Sequence, residues 1–165
     1  MSALVATFCG AGYLRPASGT WASAIAVALG VTAYQAGLAL LVPVGFVLAT
    51  VAGFWAVPRF LAGRSGEDPP EIVIDEVAGQ LLALSFTTVP LWWRGVPDLF
   101  LGAWPGWLAP FLMFRLFDIW KPWLVGRADR MAGTAGVMLD DLWAGLFAGV
   151  GSVVLAGIIH GIVLS

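Results

Sequence analysis

Residues 16–59 read PASGTWASAIAVALGVTAYQAGLALLVPVGFVLATVAGFWAVPR, and no charged side chain interrupts them before Arg59. A membrane span needs about 20 predominantly apolar residues, so this run is too long for one helix and suits two. Pro43 and Gly45 lie near its middle. The pattern therefore predicts helices over about Trp21–Val42 and Pro43–Ala62, joined by a tight turn.

The rest of the chain has the same character. Of its 165 residues 60% are hydrophobic and 11% charged, whereas soluble domains carry about a quarter of their residues as charges. Mean hydropathy is +0.92. Further spans are expected over about Ile72–Trp93, Leu99–Asp118 and Gly136–Ile162. Polar loops at Gly63–Glu71 and Ile119–Ala135 and a short turn at Arg94–Asp98 separate them. Pro105, Gly106 and Pro110 interrupt the fourth. The fold class expected is an all-α polytopic transmembrane helix bundle of about five spans, one integral domain over residues 1–165. Ala3–Tyr13 is apolar but too short to span, which suits a re-entrant or interfacial segment. Met1–Gly12 lacks the basic start and small-residue cleavage site of a signal peptide.

Placed on this topology, Arg15, Arg59, Arg64, Arg115, Lys121, Arg127 and Arg130 share one side and Arg94 alone takes the other. That bias puts the charged side in the cytoplasm. Trp21, Trp120, Trp123 and Trp143 fall at the inner interface, and Trp92, Trp93, Trp104 and Trp107 at the outer one. A net charge of −2 gives no case for nucleic acid. Cys9 is the only cysteine and His160 the only histidine, so neither an intrachain disulfide nor a zinc site is expected. Any metal would be a hard cation with oxygen ligands. Nothing in the pattern speaks to oligomeric state.

Nine of the ten acids lie on the cytoplasmic side, several of them within the apolar helices. Asp75 and Glu76 open the third span, Asp118 closes the fourth, and Asp140 and Asp141 open the fifth. Ionisable groups inside spans are costly, usually face the bundle interior, and mark function. Five acids at one depth repel unless something positive sits among them, and a divalent cation with Arg115 and Lys121 would resolve that. Gly79 follows Asp75 by four residues, Ala144 follows Asp140, and Gly145 follows Asp141, so small residues one turn on would let the helices approach closely. Arg115, Asp118 and Lys121 step by three along one face. A hard cation beside a guanidinium and an ammonium is equipment for phosphoryl transfer. Glu67, Asp68, Glu71 and Asp129 read as ordinary loop acids, and His160 as an interface residue.

Four blocks carry a family likeness: Gly19-Thr20-Trp21-Ala22-Ser23, Ile74-Asp75-Glu76-Val77-Ala78-Gly79, Phe114 through Pro122, and Gly136 through Gly145. In this order they resemble the phosphatidylglycerophosphatase A family over nearly the whole chain. The resemblance implies a magnesium-dependent phosphomonoesterase of the bacterial cytoplasmic membrane. It would be multi-pass, with the site facing the cytoplasm, and would act on a membrane phospholipid, converting phosphatidylglycerophosphate to phosphatidylglycerol. It further implies that Asp75, Glu76, Asp118, Asp140 and Asp141 are catalytic and metal-handling groups and that Arg115 and Lys121 contact the phosphate. Gly19, Thr20 and Ser23 would line the site from a helix start, where free backbone N–H groups favour an anion. Two positions depart from the family: Ser18 stands where proline often precedes the Gly-Thr pair, and Leu124 where proline often follows Lys-Pro-Trp.

Other readings compete. Cys9 and Arg15 have the Cys-x5-Arg spacing of cysteine phosphatases, but the strand-before, helix-after context is missing and Pro16 follows at once. A cation-coupled transporter or channel would also use intramembrane carboxylates, yet such sites lie near the bilayer midplane, whereas these acids gather near one face. A purely structural role gives no reason for the acid pairs.

Overall fold

Helix ends in the computed structural model, which describes residues 1–62 and 69–163 (side chains through 159), fall where backbone chemistry requires. The helices are α1 (Ser2–Ala6), α2 (Ser18–Gln35), α3 (Leu41–Leu61), α4 (Ile74–Trp93), α5 (Pro105–Trp120), α6 (Trp123–Asp129) and α7 (Thr134–Val163), with a 3-10 turn at Ala11–Tyr13. No strand occurs among the described residues, so the all-α expectation holds. Arg64, Glu67, Asp68 and the side chain of His160 lie outside the described residues.

Three boundaries differ from those expected. The first long helix stops at Gln35, because Gly37 takes a left-handed φ of 76°; Pro43 sits instead in the first turn of α3, where a missing N–H breaks no bond. The fourth begins only at Pro105. Ahead of it the Asp98 carboxylate accepts the N–H groups of Phe100, Leu101 and Gly102 at 2.9, 3.1 and 3.0 Å. Those donors, Leu101 foremost, hold its pKa below the ordinary aspartate range. The expected loop Ile119–Ala135 contains α6. Two helices, Leu41–Leu61 (mean hydropathy 1.9) and Thr134–Ile159 (2.1), are long and apolar enough to cross a bilayer. The others are shorter or more polar, so length and composition support two of the about five spans expected and leave the rest without that support.

α4 is the central helix, with α2, α3, α5 and α7 packed around it. Glycine contacts fix the directions. Gly19 lies against Glu76 and Gly30 against Leu84, so α2 and α4 run parallel; Gly79 lies against Asp141 and Gly149 against Phe86, so α7 does too. Gly45 meets Leu81 while Gly53 meets Ile74, and Gly106 meets Leu91 while Gly79 meets Phe114, so α3 and α5 run antiparallel. The starts of α2, α4 and α7 and the ends of α3 and α5 therefore share one end of the bundle. Val73 N–H donates to Ala6 C=O at 3.0 Å, which docks α1 at that same end.

The interior is built mostly from small and branched residues, among them Ala22, Ala26, Val57, Val77, Ala78, Ala83, Ala144 and Ala148 around buried Met138 and Phe114. Large apolar side chains point outward, including Leu29, Val47, Leu48, Val51, Phe54, Val153, Val154 and Ile158. Polar groups inside and a continuous apolar exterior are the pattern a lipid solvent selects. At the end of α2 distant from the α4 start, Tyr34 Oη donates to Val96 C=O at 2.6 Å and Gln35 Nε2 to Asp98 Oδ1 at 3.0 Å. At its start, Ser18 Oγ donates to Pro70 C=O at 2.7 Å.

Candidate metal and phosphate site

Asp75 and Glu76 occupy the first turn of α4, where unpaired N–H groups and the helix dipole favour negative charge. Asp75 Oδ1 accepts the N–H of Glu76 at 3.0 Å, and Asp140 Oδ1 accepts that of Asp141 at 3.0 Å. Each adjacent pair thus spreads its carboxylates over different neighbours.

The α4 and α7 pairs meet because the helices touch backbone to backbone. A Cβ on Gly145 would collide with the Gly79 backbone, and one on Gly79 with the carbonyl of Asp141. The expected role of these small residues is therefore seen. Asp75, Glu76 and Asp141 consequently offer carboxylate oxygens all within 4.8 Å of one another. Asp75 is 8% exposed and Asp141 3%. Asp141 Oδ1 and Glu76 Oε2 are buried with no hydrogen-bond partner among the described residues.

The other expected site residues surround this trio. Asp118, at the end of α5, faces Asp141 and pairs with Arg115, whose Nη1 lies 2.7 Å from Asp118 Oδ2. This is a charge contact and not an aligned hydrogen bond, because Arg115 Nε and Nη1 still lack a hydrogen-bond acceptor among the described residues. Lys121 adopts a left-handed conformation, φ 50° and ψ 53°, as α5 ends. From there its Nζ donates to Asp140 Oδ2 at 2.9 Å and to Asp129. Partial burial pulls the lysine pKa down, but the hydrogen bonds and charges of Asp129 and Asp140 outweigh it and leave it above the ordinary range.

The arrangement refines the sequence expectation. All five acids gather at one end, yet only three form the tight oxygen cluster; Asp118 stands at its edge and Asp140 is taken by Lys121. Asp129, read as an ordinary loop acid, is an ion-pair partner of Lys121. Gly19 packs on Glu76 with no room for a side chain. Thr20 is half-buried, and Ser23 is fully buried with an unpartnered Oγ among the described residues. Sequence reasoning missed Gln80, fully buried one turn after Glu76, whose amide oxygen and nitrogen both lack partners among the described residues. A primary amide inside an apolar helix was the signal available.

Chemically, three carboxylates this close form a hard-oxygen set, and the nearby cations are already paired elsewhere. Buried like charges of this kind require compensation. The trio, with its orphaned oxygens, fits a metal ion of the oxygen-preferring class.

Comparison with known proteins agrees with this chemistry. Residues 4–156 match the sequence model of the family described as phosphatidylglycerophosphatase A. A phosphatidylglycerophosphatase A of Haemophilus influenzae is 30% identical over 88% of this chain and 82% of its own length. A Bacteroides thetaiotaomicron protein described as a candidate phosphatidylinositol-3-phosphatase is 39% identical over 62% of this chain; the match spans 57% of that protein. A shorter match, 44% identical over 24% of each chain, is to phosphatidylglycerophosphatase A of Escherichia coli. No solved structure matches.

Proposed function

The chain belongs to the phosphatidylglycerophosphatase A family, and from that membership we propose that it is a magnesium-dependent phosphatase releasing the terminal phosphate of phosphatidylglycerophosphate. The observation that carries this reading is the oxygen cluster of Asp75, Glu76 and Asp141 beside Arg115. Family membership leaves the transporter reading without support.

Asp75, Glu76 and Asp141 would hold the cation, which when bound supplies charge neutralisation for the phosphoryl oxygens. Arg115 keeps buried N–H donors open on the side of Asp118, suited to a phosphate oxygen. Asp118, paired with Arg115 at the edge of the trio, takes the proton of the attacking water. The new bond is water oxygen to phosphorus; the bond that breaks joins phosphorus to the glycerol oxygen, which takes a proton from solvent and leaves as the free hydroxyl, while Asp118 returns its own proton to solvent. Lys121 holds Asp140 against the trio and supports the site from outside it. Gly19, Thr20 and Ser23 flank the phosphate from α2.

The same reading places α2, α3, α4, α5 and α7 in the bilayer as one integral domain. The carboxylate end faces the cytoplasm of a bacterial inner membrane. Its support is the charge distribution: Arg15, Arg59, Arg115, Lys121, Arg127 and Arg130 lie at or beyond that end, and Arg94 at the opposite one.

Phosphate release from phosphatidylglycerophosphate in detergent tests the proposal, with phosphatidylinositol 3-phosphate as comparator substrate. EDTA and Asp141→Asn are each expected to abolish turnover, added magnesium to restore the first, and Cys9→Ser to leave activity near wild type. Full activity in EDTA overturns the metal mechanism.

A further inference from the structure

We infer that the groove between α2 and α5 seats an acyl chain of the lipid whose phosphate lies at the carboxylate cluster. This rests on the phosphatase reading above and adds where the substrate's apolar part goes. The groove is about 300 Å³ and is lined by Ala24, Val27, Ala28, Val31 and Thr32 of α2 and by Phe100, Trp107 and Phe111. Its one hydroxyl, Thr32 Oγ1, is turned back onto Ala28 C=O at 2.8 Å, so the lining presents mostly apolar surface. Alanines on α2 make it shallow-walled on one side, and the aromatic rings of α5 form the other wall. At the far end Phe100 and Trp107 stack with centroids 6.1 Å apart.

Register identifies the occupant. Ala24 is one helical turn from Thr20, and Phe111 one turn from Arg115, so the groove begins where the phosphate residues end. From Ala24 to Thr32 it extends along α2 by about 12 Å, close to the roughly 15 Å of one hydrocarbon leaflet. Parallel packing of α2 on α4 sets Ser23 and Gln80 at one level, a turn beyond the Gly19–Glu76 contact. Both side chains are fully buried and lack partners among the described residues. Neither lines the groove, but Ser23 directly precedes its lining residue Ala24, so both stand beside its head-group end, the level of the ester and glycerol oxygens of a phospholipid. A protein helix would find no matching polar row there.

The test compares kcat/KM on dioleoyl phosphatidylglycerophosphate with kcat/KM on its deacylated head group, in wild type and in Ala28→Phe, which fills the groove. A chain leaving the groove re-enters detergent at little hydrophobic cost, so the effect comes from lost fit and positioning. The ratio of acylated to deacylated activity is expected to fall roughly tenfold. Ala28→Leu, a smaller intrusion, gives the same direction should the phenylalanine variant not reach the membrane. An unchanged ratio in a wild type that turns over overturns the groove alone. An unchanged ratio together with loss of a dimer assigns the groove to a second copy and also overturns it. A wild type that releases phosphate from neither compound removes the phosphatase reading, and this inference with it.

Discussion

Glu76 Oε1 stands where any side chain on Gly19 would have to be. A methyl group there meets the far end of a flexible side chain, so the carboxylate yields and the helix does not. Gly19→Ala is therefore expected to keep the fold, with stability within about 1 kcal/mol of wild type. The displaced oxygen weakens the metal site instead. The magnesium concentration giving half-maximal phosphate release should rise about tenfold, equivalent to about 1.4 kcal/mol of binding. An unchanged magnesium dependence would remove Glu76 from the cation's ligands.

Gly145 presents a different case, because what its Cβ would meet is the backbone of Gly79. Backbone cannot step aside as a carboxylate can. Gly145→Ala should force α4 and α7 apart, destabilising the protein by about 1–3 kcal/mol and taking activity with it. Gly157→Ala serves as the control in the same helix, since nothing lies within 4 Å of its Cβ; helix propensity predicts neutrality or a gain of up to about 1 kcal/mol. Denaturation in detergent reads both. Equal behaviour of the two variants would contradict the close helix contact.

Lys121 sets a pH dependence with a definite sign. Its folded pKa is raised above the ordinary lysine value by Asp129 and Asp140 against the pull of burial. A raised cationic group contributes stability that is fully present below its unfolded pKa, about 10.4, and is lost as pH rises through the folded value. The stability gap between wild type and Lys121→Met should thus stay flat from about pH 8 to about pH 9, above the titration of ordinary carboxylates and histidine, and narrow above roughly 10.4. Thermal unfolding across that range checks it. A gap that did not narrow above roughly pH 10.4 would mean another group controls this corner.

The acids in the first turn of α4 and about two turns into α7 were legible in the sequence, because charged residues in apolar runs have few reasons to be there. So were Gly79 and Gly145, through their four-residue offset from Asp75 and Asp141. Less legible was the division of labour among the carboxylates. It depends on Lys121 adopting φ 50°, a conformation that no local signal requires of a lysine, and so turning its ammonium toward Asp140 and Asp129. The end of α2 was misplaced because Pro43 looked like a breaker; proline in a first helical turn breaks nothing, and Gly37 does the work. The late start of α5 hangs on Asp98 collecting three backbone donors, a local competition invisible to hydropathy. Ser18, read in the sequence only as a departure from the family pattern, ties the start of α2 to Pro70 through its hydroxyl.

That last bond has a counterpart at the opposite tip of the same helix, where Tyr34 and Gln35 grip Val96 and Asp98. α2 is thereby pinned top and bottom like a doorpost, and between the two pins Val27 and Val31 rest on Trp107 and Phe111. The opening beside it cannot shut by the post leaning in. One of the two pins, at Val96 and Asp98, lies at the end away from the metal-site carboxylates, so sequence change there would shift the post without touching Asp75, Glu76 or Asp141.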